Sequence, residues 1–264
     1  MSIFLETALE AAAGAGAVLR DKFPQTREIK SKGWRDIVTD ADFAAQQAAL
    51  EILTARFPDH GILTEEGRHD VSLTASERPI WVMDPLDGTT NYARQFPAFS
   101  VALALVHQGE IQVGVIHDPL RRETFFAEKG QGAFRQGEPG PPQPLRVSRL
   151  TDFGDALIGV DWARDPAARQ QVLEALVRVA PQCRTLRSVG SAALNLAYLA
   201  AGWLDGYFHL SLQPWDVAAG ALLVTEAGGM ISAPDGGAWQ LGNRRAVVSN
   251  GLLHEVLLRT LELE

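Results

Sequence analysis

The first sixty residues contain two segments with the apolar spacing of amphipathic helices. One runs from residue 4 to a stop at Phe23-Pro24, and the other runs from residue 40 to residue 57, with Asp40 or Thr39 as its N-cap. We expect the first helix to lie on a sheet. The residues expected along one side of the second helix are Phe43, Gln47, Leu50 and Leu53.

Short apolar runs separated by turn signals predict strands after these helices. Residues 61–64 and 79–83 are such runs, and each leads straight into acidic residues. From residue 99 to residue 134, β-rich runs alternate with turn signals, which predicts an antiparallel meander. Residues 136–144 are too rich in Pro and Gly for regular structure, so we expect an exposed loop there.

Helix and strand patterns alternate in the rest of the chain, which predicts an α/β layer. In chain order we expect a strand at 156–160, a helix at 166–179, a strand at 183–187, a helix at 191–201, a strand at 206–210, a helix at 216–227, a strand at 246–249 and a last helix from about residue 252. The change of pattern after the loop predicts two domains, an N-terminal α+β domain at 1–145 and a C-terminal α/β domain at 146–264.

Composition narrows the class of protein. Hydrophobic residues make up 46% and charged residues 21% of the 264 residues, which argues against disorder. The apolar run at 101–106 is far shorter than the roughly 20 residues that cross a bilayer, and Glu6 and Glu10 are unlike a signal peptide. We therefore expect a cytoplasmic protein with no membrane partner. A net charge of −8 makes direct nucleic-acid binding unlikely, and the single Cys183 excludes an internal disulfide.

The stretch Asp84-Pro85-Leu86-Asp87 is the most informative part of the sequence. Asp followed by Pro favours a tight reversal, which would bring two carboxylates together beyond a buried strand. Such carboxylates repel each other unless a divalent cation neutralises them, and oxygen ligands favour Mg²⁺. The amides of residues 88–91, at a predicted helix start, suit phosphate oxygens. An ordinary surface turn before a helix cap has the same pattern, so this stretch alone leaves both readings open.

Three other acidic segments support a cation site. Residues 64–67 end a predicted strand, residues 36–42 precede a predicted helix, and residues 214–220 place Asp216 at another helix N-terminus. Each segment alone has the pattern of a solvated turn or an N-cap. Their combination favours one shared site.

Several blocks of the sequence resemble a known family. They are D-P-L-D-G-T-T-N-Y at residues 84–92, R-S-V-G-S-A-A at 187–193 and W-D-V-A-A-G at 215–220, together with Glu65-Glu66 and the Asp42 region. In this order they resemble the Mg²⁺-dependent, lithium-sensitive inositol monophosphatases, in particular the bacterial ones. The resemblance implies a layered α-β-α-β-α sandwich of the sugar phosphatase type, with an antiparallel N-terminal sheet and a mixed C-terminal α/β layer. It also implies a homodimer.

The resemblance further implies a metal and substrate site that both domains form. The implied metal ligands are Glu65, Asp84 and the Leu86 carbonyl for a first Mg²⁺, Asp84, Asp87 and Asp216 for a second, and Glu65 for a weaker third. The implied catalytic residues are Glu65, Thr89 and Asp42. The implied substrate contacts are Asp87, Gly88, Thr89, Ala192, His209 and Asp216. Thr89 would orient a metal-activated water, held in turn by Asp42, for direct in-line attack on the phosphate.

The sequence departs from the family pattern on the side that would hold the alcohol part of the substrate. His209 stands where the family commonly has a glutamate that touches substrate hydroxyls, and the family's substrate-side serine is not recognisable at 159–164. Arg164 or Arg187 could reach an anionic part of another substrate, or could form a surface ion pair. Inositol specificity therefore stays open.

The leading hypothesis is a Mg²⁺-dependent phosphatase for a small phosphorylated metabolite, with inositol 1-phosphate as the first substrate to test. Fructose 1,6-bisphosphate, histidinol phosphate and 3′-phosphoadenosine 5′-phosphate are the alternatives among relatives. A hypothesis of a different class is a non-catalytic adaptor in transcription antitermination, a role known for a bacterial member of the family. A nucleotide-cofactor enzyme is disfavoured because the glycines at 14–16 lie inside the first predicted helix.

Overall fold

The structure is a computed structural model that describes residues 1–67 and 77–263. Its helices are α1 (Ile3–Lys22), α2 (Asp40–Arg56), α3 (Thr89–Ala93), α4 (Pro166–Val179), α5 (Ala192–Ala200), α6 (Pro214–Glu226) and α7 (His254–Leu261). Its strands are β1 (Ile29–Gly33), β2 (Asp36–Thr39), β3 (Gly61–Thr64), β4 (Ile80–Asp87), β5 (Ser100–His107), β6 (Glu110–Asp118), β7 (Glu123–Glu128), β8 (Ala133–Gly137), β9 (Gln143–Pro144), β10 (Leu157–Val160), β11 (Thr185–Arg187), β12 (Gly206–His209), β13 (Met230–Ser232) and β14 (Ala246–Ser249). None of the helices in the described ranges has the length and apolar character needed to cross a membrane.

In the part of the chain that the structure describes, the strands form a β-hairpin and two sheets, one of seven strands and one of five. The hairpin pairs β1 with β2. The larger sheet has the order β3-β4-β5-β6-β7-β8-β9, in which only β3 and β4 are parallel. The smaller sheet has the order β11-β10-β12-β14-β13, with parallel and antiparallel neighbours. The expected antiparallel N-terminal sheet and mixed C-terminal layer are thus confirmed.

The helices and sheets stack as an α-β-α-β-α sandwich. α1 and α2 cover one face of the larger sheet, where their alanines pack against Trp81 and Met83 of β4. α5 and α6 lie between the two sheets and share an apolar core with both. α4 and α7 cover the outer face of the smaller sheet. Removal of this apolar surface from water is the main force that holds the layers together.

The inner face of α2 differs from the prediction. Phe43 and Gln47 are exposed, and Leu50 is only half-buried, whereas Leu53 is fully buried as expected. The buried face is formed by small residues, because α2 packs closely against the alanine-rich face of α1. A phenylalanine in that contact would hold the two helices apart. The predicted cap is confirmed, since Thr39 and Asp42 form a capping box at the start of α2.

The segment that carries Asp84 and Asp87 continues β4, so the predicted tight reversal is wrong. The pairing of β4 with β5 is interrupted between these two residues and resumes where Asp87 pairs with Ser100. Pro85 has no N–H to donate to the sheet, which favours a bulge at this position. The bulge leaves both carboxylates at one end of a fully buried strand.

The other elements match the sequence patterns to differing degrees. The helix at 166–179 and the strand at 246–249 have the predicted bounds, and α6 begins two residues early because Pro214 takes its first turn. The predicted loop at 136–144 includes the end of β8 and the short β9. The hairpin β1-β2 and the strand β13 were not predicted. β1 is exposed throughout, so it lacks the alternation that reveals a half-buried strand. The division of the chain at 145/146 stays a prediction.

Candidate functional site

One cavity is lined by most of the residues that the sequence analysis singled out. It has a volume of about 720 Å³ and lies where the C-terminal end of β4 meets the N-terminal ends of α5 and α6. The predicted site residues that line it are Glu65, Asp84, Leu86, Asp87, Gly88, Thr89, Ala192, His209 and Asp216. Asp42 lies behind this lining and reaches the site through Thr89.

Local backbone structure holds three of the acidic side chains in place. Asp84 Oδ1 accepts the N–H of Leu86 at 2.9 Å, so the bulge in β4 orients this carboxylate. Asp216 is the third residue of α6, and its Oδ2 accepts the N–H of Gln213 at 2.8 Å in a capping box. Glu65 directly follows β3, and its N–H donates to the Met83 carbonyl of β4.

Asp87 is bound by the N-terminus of α5, which is far away in the sequence. Its carboxylate accepts the hydroxyl of Ser191 and the N–H groups of Ala192 and Ala193, the latter at 2.8 Å. Ser191 is also the N-cap of α5. Sequence reasoning did not assign Ser191 a role, although a serine before a helix is a recognisable cap. These contacts and the helix dipole stabilise a negative charge at Asp87.

Burial and mutual repulsion disfavour ionisation of these carboxyl groups. Burial, with the Glu65 charge next in size, raises the pKa of Asp84 well above its usual 3.8. Burial raises the pKa of Asp216 to about 8. It also raises the pKa of Asp87 to about 6, in spite of the hydrogen bonds from α5. The cavity therefore needs added positive charge before all of these carboxylates can ionise together near neutral pH.

Thr89 links the cavity to Asp42. Its hydroxyl lies 3.0 Å from the Leu86 carbonyl and 3.3 Å from Asp42 Oδ1, and both are acceptors. The hydroxyl donates its hydrogen to only one of them at a time, and its oxygen lone pairs remain free to accept a hydrogen bond from water. Burial raises the pKa of Asp42 to about 6. Thr89 and Asp42 can thus orient a water molecule and relay a proton.

Gly88 and Asn91 hold the start of α3 against the second half of the chain. Gly88 has a φ of 99°, and a Cβ there would lie 3.0 Å from the Ala98 carbonyl oxygen, so the position requires glycine. Asn91 Nδ2 donates to the carbonyls of Ala98 and Val189 at 2.7 and 2.8 Å. The asparagine of the 84–92 block thus joins the segment before α5 to the end of β4.

Two cationic side chains contact Glu65. Lys32, on the hairpin, lies 2.9 Å from Glu65 Oε1 and 2.6 Å from Glu66 Oε1. Burial by itself lowers the pKa of Lys32, but the two glutamates raise it overall. Arg164 Nη1 lies 3.6 Å from Glu65 Oε1 and 3.2 Å from Asp36 Oδ2. Arg164 thus lines the cavity and also forms ion pairs, whereas the described contacts of Arg187 are with Thr185 and Leu186 of its own strand.

The donor set suits a hard divalent cation. Four carboxylates and the Leu86 carbonyl supply only oxygen ligands, as Mg²⁺ prefers. Burial, together with repulsion from neighbouring carboxylates, raises the pKa values of Asp84, Asp87 and Asp216. Within residues 1–67 and 77–263, no three His, Cys, Asp or Glu side chains stand close enough to enclose an ion as placed. Glu65 is paired with Lys32 and Arg164 instead. A cation would therefore have to compete with these two side chains for Glu65.

Asp161 is a cavity residue that sequence reasoning missed. It follows β10 and accepts the N–H of Gly190, Asn195 Nδ2 and the Tyr207 hydroxyl. Burial raises the pKa of Asp161 to about 7. The sequence signal that could have identified Asp161 is its position directly after a predicted strand, like that of Glu65 after β3. Asp161 holds the backbone that precedes α5 and so supports the helix end that binds Asp87.

The whole chain is similar to known proteins in sequence and in fold. The family model described as "Inositol monophosphatase family" matches residues 1–264. "Nus factor SuhB" of Salmonella typhimurium is 38% identical over 243 residues, which cover 90% of this chain and 87% of that protein. "Inositol monophosphatase 3" of Solanum lycopersicum is 35% identical, with 98% and 96% covered. The crystal structure of the extragenic suppressor protein suhB from Bartonella henselae has a TM-score of 0.92 at 33% identity, with 99% of each chain covered. The chain therefore belongs to the inositol monophosphatase family of phosphatases.

Proposed function

We propose that this chain is a Mg²⁺-dependent phosphomonoesterase that hydrolyses a small phosphorylated metabolite, with inositol 1-phosphate as its reference substrate. The observation that carries the proposal is the convergence of four carboxylates from distant segments on one cavity, beside the amides at the start of α3. The carboxylates suit two or three cations, and the amides suit phosphate oxygens. The membership of the chain in a phosphatase family supports the same reaction.

Each residue has a proposed part in the reaction. Glu65, Asp84 and the Leu86 carbonyl would hold one Mg²⁺, and Asp84, Asp87 and Asp216 would hold another. Bound Mg²⁺ supplies positive charge that offsets the charge on the phosphoryl group and makes water more acidic. The N–H groups of Gly88 and Thr89 bind phosphate oxygens. These assignments remain part of the proposal.

The nucleophile of the proposed reaction is water, oriented by Thr89. The Thr89 hydroxyl accepts a hydrogen bond from the water while it donates to Asp42 Oδ1. Asp42 Oδ2 is already occupied by the N–H and hydroxyl of Thr39, so Oδ1 is the oxygen that faces Thr89. The water attacks phosphorus in line with the leaving alcohol oxygen, which takes up a proton as the ester bond breaks.

The test of this function is a steady-state comparison of substrates with and without Mg²⁺. We expect hydrolysis of inositol 1-phosphate, fructose 1,6-bisphosphate, histidinol phosphate or 3′-phosphoadenosine 5′-phosphate only when Mg²⁺ is present. Chelation with EDTA should abolish it and added Mg²⁺ should restore it. Hydrolysis that persists in EDTA, or no hydrolysis of any phosphomonoester, would contradict the proposal. Light scattering of the same preparation checks the proposed homodimer.

Lithium is expected to inhibit the Mg²⁺-dependent activity at millimolar concentration. The expectation rests on the family resemblance, and inhibition should be measured at several Mg²⁺ concentrations. Potassium at the same ionic strength is the control, because it changes screening equally. An unchanged rate in lithium would place this chain in a lithium-resistant branch of the family.

A second candidate function is an adaptor role in transcription. The observation that favours it is the name of several similar proteins, "Nus factor SuhB". If the chain acts as an adaptor, it should bind RNA polymerase in a pull-down, and the Asp87→Asn variant should bind equally well. Loss of binding in that variant would tie the interaction to the cavity. No binding by either protein would remove this candidate.

A further inference from the structure

His209 presents a hydrogen-bond donor to the cavity. It is the last residue of β12 and is buried, and its Nδ1 accepts the N–H of Ser211 at 3.1 Å. Burial, with a smaller effect of Arg164, lowers the pKa of His209 to about 4, so the ring is neutral at physiological pH. A neutral imidazole whose Nδ1 accepts carries its proton on Nε2. Within the described part of the chain Nε2 has no hydrogen-bond partner, and His209 lines the cavity.

Arg164 presents further donors to the same cavity. Its side chain is about half exposed at 54%, and its two ion pairs both use Nη1. Among the residues described, Nε and Nη2 of Arg164 have no partner, so this edge of the guanidinium remains available for a bidentate contact. One of its two ion-pair partners is Glu65, which the proposed function assigns to a cation. Binding of that cation would weaken the hold of Glu65 on Arg164.

The donors of His209 and Arg164 suit a group that only accepts hydrogen bonds. A hydroxyl of a polyol both donates and accepts, whereas a carboxylate or a phosphate only accepts and also carries the charge that Arg164 attracts. Four more arginines line the same cavity, namely Arg35, Arg94, Arg169 and Arg244. Arg164 Nη1 also lies 3.6 Å from Glu65 Oε1, so these donors stand beside the carboxylates proposed to bind metal. The cavity therefore combines donors that suit an anion with neighbouring carboxylates that suit a cation.

We propose that the alcohol part of the substrate carries a second anionic group, a phosphate or a carboxylate, that is bound by Arg164 and by the Nε2–H of His209. This inference rests on the proposed phosphatase function and specifies the substrate class of the same site. In this proposal the reacting phosphate lies at the Gly88 and Thr89 amides, and the second anion lies at Arg164 and His209. A neutral polyol phosphate leaves these donors without a partner, which costs binding energy.

The test compares matched pairs of phosphomonoesters that differ in the second anionic group. Inositol 1-phosphate is paired with inositol 1,4-bisphosphate, and glycerol 2-phosphate is paired with 2-phosphoglycerate, so that phosphate and carboxylate are tested separately. We expect kcat/KM at saturating Mg²⁺ to favour the anionic member of at least one pair by about ten-fold or more, the effect of one hydrogen bond to a charged group. Arg164→Gln should reduce that preference by a similar factor, whereas Arg187→Gln, the same change outside the cavity, should leave it unchanged.

Two substitutions of His209 separate donor chemistry from packing. His209→Gln keeps an N–H near the place of Nε2 and should retain the preference, whereas His209→Glu replaces the donor by an acceptor and should lower it. Circular dichroism and thermal unfolding check that each variant folds. If His209→Glu does not fold, the result for Arg164→Gln decides the question. If no pair is hydrolysed, the phosphatase proposal itself fails. Equal hydrolysis within both pairs, or a preference that survives Arg164→Gln, overturns this inference and leaves the phosphatase proposal standing.

Discussion

Asp87→Asn is expected to keep the fold and to lower kcat for Mg²⁺-dependent hydrolysis by at least about 10³-fold. The carboxylate of Asp87 accepts hydrogen bonds from Ser191, Ala192 and Ala193 at the start of α5 while it lines the cavity. Asparagine retains one acceptor oxygen but loses the negative charge that a metal ligand needs. Steady-state kinetics at saturating Mg²⁺ measures the loss.

The stability of Asp87→Asn should change little. The variant loses part of the hydrogen bonding to α5 and the favourable dipole interaction, together worth about 1–2 kcal/mol. It also removes a buried charge next to other carboxylates, which offsets part of that loss. The matched control is Asp118→Asn, since Asp118 is buried, accepts two backbone N–H groups and lies outside the cavity. The control should lose stability and keep its activity. Turnover by Asp87→Asn comparable to that of the unmodified protein would contradict the assignment of Asp87.

Asp84→Asn is expected to abolish activity and, in the absence of Mg²⁺, to stabilise the protein at neutral and higher pH. Asp84 is buried, and its pKa is raised by desolvation and by the neighbouring Glu65 charge. An amide removes this unfavourable charge and can still accept the N–H of Leu86 through its oxygen. The gain of stability that Mg²⁺ gives the unmodified protein should disappear in the variant, because a shared ligand is lost. Thermal unfolding with EDTA and with Mg²⁺ measures both effects.

The stability of the metal-free protein, measured by the same thermal unfolding, should depend on pH with a definite sign. The pKa of Asp216 is about 8 in the folded protein against 3.8 for an ordinary aspartate, so between these values the folded state binds more protons than the unfolded state. The free energy of unfolding of the metal-free protein therefore falls as pH rises towards 8. His209 acts in the opposite direction between about pH 4 and its ordinary value of 6.5, because its folded pKa is lowered. The window to examine thus begins above pH 6.5.

Between pH 6.5 and 8.5 we expect the melting temperature in EDTA to fall more steeply for the unmodified protein than for Asp84→Asn. Saturating Mg²⁺ should flatten the profile of the unmodified protein, because the cation lowers the pKa values of the carboxyls that it binds. A flat profile in EDTA would show that these carboxyls do not carry the buried charge assigned to them.

Local sequence signals were sufficient to predict most helices and strands and to single out the acidic residues. The apolar period predicted α1, α4 and β14, and Thr39 was recognised as a cap, because these features depend on neighbours within a few residues. The same local reasoning failed where contact with another helix or strand decides which side chains are buried or whether a strand forms. The buried face of α2 depends on the alanine surface of α1, and the exposed strand β1 is stabilised by its pairing with β2.

The sequence by itself determined the family resemblance, since ordered motifs need no coordinates. That resemblance implied the layered sandwich and the proposed cation ligands from Glu65 to Asp216. Only the tertiary structure decided how these residues are used. Asp87 meets Ser191 across 104 positions, and Arg164 meets Glu65 across two layers of the fold. Contacts at that separation arise when the layers pack together, and no local pattern encodes them. The same packing brings His209 and Arg164 into the cavity that the acidic residues line.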